Sequence, residues 1–588
     1  MASIYDKSSL VLIPSGTKTG KVYSQKPVSG DGDFTFTRSS AATRVNVDGF
    51  IEKETQNLLL QSNNFDTTWI TTNISVTSGQ SGYDGSNDAW LLDITGGTGS
   101  QRLEESANLS GVQTFSIYAK AGTEDWIRLR VNTSGTAAQS YFDLANGALG
   151  VTQSGLIDRK IEDVGGGWYR CSISFNETSS LVRVYPAVGN GNITHTSGNI
   201  YIQDAQLEQG LVARDYIETT TTAVEGGITD NVPRLDYTDS SCPALLLEPL
   251  RTNLVTNSEW LEGGFSLANG ATLSLENVTA PDGSNLVTKV QANSDDAGRA
   301  QDGLGTLGTN HIWSGFFKGT GVATRLRFRN NQGKQVQYNI NASGDFSLYS
   351  EDAVNGNYDI EDYGNGWHRI WFETTTTGAT SNFVQIYPDV QNGTGSVYAW
   401  GLQAEAGSYA TSYIPTYGSS VSRVDDFCAT SQSGNADFGS GDFSVFFDVE
   451  DVDDDGSGAT ALVGNRQSGE WWRFYGNKIL NRFHLEMSSS IGGYTATIIG
   501  SYEQFVDGRN KVVISRNSNR LLCYVNGVEK INSTSAVYLQ NFDSTNTKIE
   551  LNSWNDGATA NTNVRYNQLL IFKGTALTPS ECQSLTTI

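Results

Sequence analysis

The sequence predicts an all-β chain: two tandem antiparallel jelly-roll sandwiches, a further β-sandwich after them, and an N-terminal segment belonging to neither copy. Three observations predict it. The stretch IEDVGGGWYRCSISF at residues 161–175 returns as IEDYGNGWHRIWFET at 360–374, and near-copies about 200 positions apart mark one folded unit used twice. Short apolar runs alternate at period two and are punctuated by Ser, Thr, Asn and 63 Gly residues, the pattern of many strands joined by turns. Hardly any window repeats apolar residues at helical spacing for three turns, so long helices are not expected.

Residues 1–52 come first and lie outside the repeat. They carry Lys18, Lys21, Lys26, Arg38 and Arg44 in an otherwise acidic chain, a basic set suited to docking on an acidic partner surface. Lys18, Lys21 and Lys26 are the candidate anchoring residues.

The repeat occupies residues 53–222 and 250–424, with a connector at 223–249. Asn57 and Leu58 match Asn253 and Leu254, Ser116 matches Ser314, Tyr141 matches Tyr338, VYP at 184–186 matches IYP at 386–388, and QLEQG from Gln206 matches QAEAG from Gln403. In the GxGW turn, Gly165 and Gly167, or Gly364 and Gly366, reach backbone angles closed to other residues, and Trp168 or Trp367 is expected to cap the end of its sandwich. The strand that follows alternates. Tyr169, Cys171, Ile173 and Phe175 are expected to face inward, and Arg170, Ser172 and Ser174 outward. In the second copy His368, Ile370, Phe372 and Thr374 take the inner face, and Arg369, Trp371 and Glu373 the outer one. Trp371 thus stands where the first copy has Ser172 and is expected to be half exposed; it either stacks on a sugar ring or anchors a domain or subunit contact.

Residues 425–588 read differently. FSVFFDVE at 443–450 and KVVISRNSNRLLCYVNGVEKI at 511–531 alternate at period two, with Asn526-Gly527 as a type I′ hairpin signal. Thr578, Pro579 and Glu581 spell the start of a short helix with a capping box. Trp471, Trp472, Tyr475, Tyr494 and Trp554 fall near the expected loop edges, where they either form a glycan platform with nearby Asn and Asp or pack inward. Asp451, Asp453 and Asp455 have DxDxDG spacing, but position twelve is Leu462 rather than the Glu of an EF-hand. The segment is a weak calcium candidate beside the plainer reading of a solvated acidic loop. No other cofactor is expected.

The run of a Gly-rich GW(Y/H)R turn, a VYP strand and a closing QLE.G…YI.T strand resembles the carbohydrate-binding-module-like sandwiches of tailed-bacteriophage structural proteins. The resemblance takes in NVPRLDYTDSSCPALLLEPLRTNLVTNSEW at 231–260 and the opening SSLVLIPSGTKTGKVYSQKPVSGDGDFTFTRSSAATRVNVDGFIE at 8–52. The hairpin, closing strand and helix of 425–588 resemble the concanavalin A-like, laminin-G-type lectin sandwich. Together these imply a virion structural protein, a head or tail fibre or spike, anchored to other virion proteins by its N-terminus. They also imply homo-oligomers, trimers foremost, and binding of host-surface polysaccharide through the distal sandwiches. The alternative is an architectural role, decorating or cementing a capsid or tail without recognising glycan.

Composition narrows the partners. Asp and Glu number 63 against 39 Lys and Arg, for a formal net charge of -24, and such a surface repels phosphate backbones and anionic lipid heads. Neither nucleic acid nor membrane insertion is expected. The apolar run at residues 10–13 is too short for a signal-peptide core, so a chain left in a cytoplasm or released by lysis is expected, and the resemblance implies a virion assembled in the host cytoplasm. Five cysteines with no CxxC pair indicate neither a disulfide framework nor a zinc site. Four histidines, no HExxH and no GxSxG elbow argue against a catalytic-triad or zinc hydrolase. A glycosidase would need only two carboxylates, but no dense acidic strand is evident, and no enzymatic activity is expected.

Overall fold

The computed structural model describes residues 4–97, 101–153, 155–238, 240–293, 299–305, 310–375, 382–389, 393–430, 441–454, 460–467, 470–477, 482–489, 497–498, 502–503, 508–535, 548–553 and 562–588. It is all-β apart from short helical turns and the helix Pro579–Thr586. The described residues form three sandwiches.

The first two share one topology. In the first, a six-stranded sheet runs in the order Leu156–Gly165, Trp168–Asn176, Val112–Ala121, Asn199–Gln209, Ala89–Ile94, Ile74–Gln80. The second repeats it as Tyr358–Asp362, Trp367–Thr375, Asn310–Gly319, Ser396–Ala406, Asn285–Gln291, Thr272–Thr279. The opposing sheets match as well. Ala148–Thr152, Ala138–Asp143, Trp126–Thr133, Ser179–Ala187, Arg102–Ser106 and Ile70–Thr72 answer to Phe346–Glu351, Gln335–Ile340, Thr324–Asn330, Asn382–Tyr387, Arg299–Gly305 and Ser266–Ala268. Each pair of sheets encloses its own apolar core, one built on Phe115, Cys171 and Val184, the other on Trp313, Phe328 and Ile370.

The same buried polar clasp closes both. The Asn57 side-chain amide donates to the Ala205 and Ile217 carbonyls while its oxygen accepts from the Leu59 and Leu207 backbones. Asn253 does the same with Leu402, Ile414, Val255 and Ala404. Ser62 meets the Tyr216 hydroxyl at 2.6 Å, and Ser258 meets Tyr413 at 2.6 Å. A buried Asn that satisfies its whole inventory holds strand ends that would otherwise leave backbone groups unpaired.

One internal match needs correction. Tyr141 lies opposite Arg128, whereas Tyr338 lies opposite Leu326 inside the second core. The counterpart of Tyr338 is Phe142, which lies opposite Ile127. A slip of one residue moves a side chain to the other face of a strand. The outer faces are corrected too: Arg170, Ser172 and Ser174 are all buried. The segment after the closing strand folds over that face, and Arg170 donates to the Arg214 carbonyl as Arg369 donates to that of Thr411. Trp168 and Trp367 belong to this covered back face, packed with Tyr118 and with Phe316 and Trp400 respectively, rather than capping the end of a core.

The third sandwich is discontinuous in sequence. Its strand Thr562–Lys573 pairs with Phe443–Asp454 on one side and, on the other, with both Leu10–Leu12 and Ala244–Leu247. In the facing sheet Phe34–Thr37 pairs with Phe427–Thr430. Leu10, Phe34, Phe36, Leu245 and Leu247 therefore sit in the same core as Phe443, Phe474 and Tyr566. Neither the N-terminal segment nor the connector stands apart, because the C-terminal strands alone would leave a long apolar edge without hydrogen-bond partners. The expected hairpin at Asn526-Gly527 is present, with both residues at positive φ, and so is the capping box of Thr578 and Glu581.

Two buried ionic clusters lock the units together. Arg38 pairs with Asp426, Arg234 with both Glu248 and Asp426, and Arg423 with Glu248, all essentially without solvent access. Burial opposes the Glu248 charge, but Arg423 and Arg234 overcome it and hold the carboxyl well below its usual range. Between the first two sandwiches, Lys53 lies 2.5 Å from Glu259 and 3.0 Å from Asp282, Arg214 pairs with Asp282, and Tyr413 and Tyr417 donate to Glu259. There the Val112 amide donates to the Tyr417 carbonyl, and Gly111 is required because a Cβ would stand 1.8 Å from that oxygen.

Candidate functional site

The outer face of the second sandwich's Thr324–Asn330 sheet is the most distinctive chemical surface among the described residues. The strand reads TRLRFRN and its burial alternates. Leu326 and Phe328 enter the core, so strand geometry sends Arg325, Arg327 and Arg329 outward. Register places Asn339, Gln337 and Gln335 beside them on one side and Tyr387 and Gln385 on the other.

The side chains form a preorganised layer. The Arg325 guanidinium lies 3.3 Å from the centroid of the exposed Tyr349 ring while its Nε donates to Asn339 Oδ1 at 2.8 Å. Tyr387 is covered by Arg327 at 4.8 Å, and by Arg299 and Arg329 at 5.7 Å each. Gln301 accepts from Gln385 and from Arg299 Nε, each at 2.9 Å. Guanidinium on a ring face gains cation–π attraction and keeps its fork of donors fixed in direction. Within the strands themselves no carboxylate stands on this face by register; at its margins Asp352, paired through its backbone with Gln335, is held by Lys334 at 2.9 Å, and the buried Asp389 accepts from the Thr394 and Gly395 backbones.

The first sandwich offers a control within the same chain. Arg128 and Arg130 occupy the positions of Arg327 and Arg329, and Tyr185 that of Tyr387. There, however, Glu104 pairs with Arg102 at 2.8 Å and with Arg183 at 2.6 Å. Burial opposes the Glu104 charge, and hydrogen bonds from Arg102 and Arg183 more than compensate, so its carboxyl stays below the usual range. In the second sandwich Glu104 and Arg183 are replaced by Gln301 and Gln385.

A second feature lies at one end of the same sandwich. Leu250, Arg251, Thr252, Leu254, His311 and Ser408 line a 660 Å³ cavity. At the equivalent end of the first sandwich Val112 and Leu211 pack against Leu286 and Tyr417 of the second, so that end is closed by its neighbour.

The residues singled out from the sequence are scattered. Trp371 is half-buried, and its indole donates to Glu361 at 3.0 Å. Burial raises the Glu361 carboxyl, and Arg369, the Trp371 indole and Arg565 of the third sandwich oppose the rise; Trp371 lies on the sheet of Trp367–Thr375, not on that of the arginine face. Trp471, Trp472 and Tyr475 lie on the strand Glu470–Asn477, opposite Ser488, Met487 and His484; their side chains, and Tyr494 and Trp554 entirely, lie outside the described residues. Asp451 and Asp453 fall on the strand Phe443–Asp454, where Asp453 pairs with Asn563, an extended backbone rather than the expected acidic loop. Asp455 lies outside the described residues. Among the described residues no group of three His, Cys, Asp or Glu is placed to hold a metal.

The anchoring candidates are partly engaged within the chain. Lys21 pairs with Asp33 at 2.7 Å, and Lys26 donates to the Tyr5 and Asp6 carbonyls. Lys18 is exposed, with its ammonium 5.9 Å from the Tyr23 ring. Arg38 is buried in the ionic cluster, and Arg44 pairs with Glu52. The arginine face escaped the sequence reading, although TRLRFRN alternates as plainly as any strand in the chain.

No protein-family model matches the chain, and no curated protein matches it. Among solved structures, domain 4 of an extracellular arabinanase from Geobacillus stearothermophilus, in complex with arabinotriose, is 19% identical, covering 28% of this chain and 73% of that one at a TM-score of 0.22. The CBM40 of Ruminococcus gnavus IT-sialidase bound to sialyllactose is 9% identical, covering 25% and 83% at a TM-score of 0.21. Domains LG4-5 of the mouse laminin alpha1 chain are 11% identical, covering 56% and 94% at a TM-score of 0.17. Similarities of this size leave the function to be read from the chain's own geometry.

Proposed function

We propose that the chain is a structural protein of a bacteriophage virion, a head or tail appendage that binds host-surface glycan and performs no covalent chemistry. The observation that carries the binding role is the open sheet face of the second sandwich, where rings and side-chain amides share one layer with fixed guanidinium donors. Sugars present apolar ring faces and rows of hydroxyls, so such a layer offers stacking and directional hydrogen bonds together. The virion role rests on the resemblance of the repeat and its connectors to phage structural sandwiches. Several copies on one particle would turn weak sugar contacts into avid attachment.

The purely architectural reading keeps one observation in its favour: buried ion pairs connect each sandwich to its neighbour, contacts of the kind a spacer or cement needs. A glycan array probed with the full chain separates the two. Binding to any host polysaccharide supports adhesion, and its absence across the array favours cement. Labelling of particles with an antibody to the chain, viewed by electron microscopy, tests the virion placement.

A further inference from the structure

We infer that the second sandwich selects an anionic, carboxylate-bearing polysaccharide, laid along the stripe of Arg325, Arg327 and Arg329. This rests on the glycan-binding reading and specifies the ligand class that the reading leaves open.

The chain is strongly acidic overall, with a formal net charge of -24, so a face with several arginines along its strands, whose marginal acids Asp352 and Asp389 are held by Lys334 and by backbone amides, runs against the average surface. Clustered charge of one sign focuses the local field and selects the opposite charge in a ligand. The stripe follows one strand, so Arg325 to Arg329 spans roughly 13 Å. That length fits a polymer with an acid group on successive units better than a single small anion. The ring contacts hold the guanidinium planes in place, and fixed guanidinium forks meet carboxylates in paired hydrogen bonds. Gln301, Gln337, Asn339 and Gln385 supply the neutral donors and acceptors that hydroxyls need.

The first sandwich shows what removes such a site. There Arg102, Arg128, Arg130 and Tyr185 answer to Arg299, Arg327, Arg329 and Tyr387, Trp126 stands in the place of Arg325, and Glu104 is bound by Arg102 and Arg183. An acid at this position adds a negative charge beside the arginines and takes up the neighbouring guanidinium, Arg102 in the first sandwich and Arg299 by position in the second. In the second sandwich Gln301 stands at that position and accepts from Arg299 and Gln385.

The test uses the full chain and measures binding to a uronic acid polymer, a neutral glucan and single-stranded DNA. The expected result is uronic acid binding that weakens about tenfold between 0.05 and 0.5 M salt, as a largely exposed charge interaction does. The Arg327→Gln/Arg329→Gln variant should weaken it by at least about tenfold, and Gln301→Glu should weaken it with unchanged thermal stability. Uronic acid binding untouched by these variants would overturn the site. Equal binding of the neutral glucan, insensitive to them, would overturn the anionic preference while keeping glycan recognition. DNA binding as strong as polysaccharide binding would show that charge alone is read and overturn the saccharide assignment. No binding to either saccharide would overturn this inference, and only silence across the wider glycan array would overturn glycan binding itself.

Discussion

Arg234, in the stretch between the two jelly rolls, and Asp426, at the entry to the third sandwich, form an ion pair with no solvent access to either side chain. Asp426 also pairs with Arg38, and Arg234 with Glu248, so one cluster joins three regions of the chain. Removing one member of a buried network leaves the others charged and unpaired, which costs about 3–5 kcal/mol. Asp426→Ala is expected to lower the thermal midpoint and to split a single calorimetric transition into separate ones for the third sandwich and the rest.

Residues 425–588 expressed alone are expected to lack a cooperative fold, since Leu10–Leu12, Phe34–Thr37 and Ala244–Leu247 are part of their sheets and core. Amide spectra of that fragment should show poor dispersion. Addition of the missing strands in a linked form should restore it.

Asn57→Ala and Asn253→Ala should destabilise their own sandwiches to similar extents. Each removes four hydrogen bonds from a fully buried site, and groups left unsatisfied there cost about 1–3 kcal/mol apiece. Urea unfolding followed by Trp fluorescence measures both.

Stability should fall as pH rises toward neutrality through Asp204. Burial, opposed by a hydrogen bond from Tyr83 and reinforced by Asp88 and Asp84, pushes its carboxyl up to about 7 from 3.8. The folded state therefore holds a proton that the unfolded state releases between about pH 4 and 7, and the associated stability is lost across that window. Asp204→Asn should shrink the difference in melting temperature between pH 5 and pH 8.

The sequence exposed what is local or duplicated. The paired GxGW stretches revealed the doubling, and the Asn526-Gly527 and Thr578–Glu581 signals named a hairpin and a helix start, because each depends on a few neighbouring residues. Pairing of Leu10–Leu12 with Thr562–Lys573 was hidden, since three apolar residues carry no period and their partner lies at the far end of the chain. The covered back faces misled for a related reason. Alternation finds the two faces of a strand, but whether the polar face meets water depends on the segment folded over it, as Arg170 and Arg214 show. At the candidate site, Trp371 drew notice for its size, while the arginine stripe needed the sheet order to reveal that Tyr387, Gln385 and Gln337 stand beside it.

Hydrogen exchange of the full chain with and without a uronic acid oligosaccharide tests the central claim most directly. Ligand-dependent protection is predicted over Thr324–Asn330 and Gln335–Ile340, with none over the matching strands Trp126–Thr133 and Ala138–Asp143 of the first sandwich. Equal protection in both sandwiches, or protection confined to the third, would contradict it.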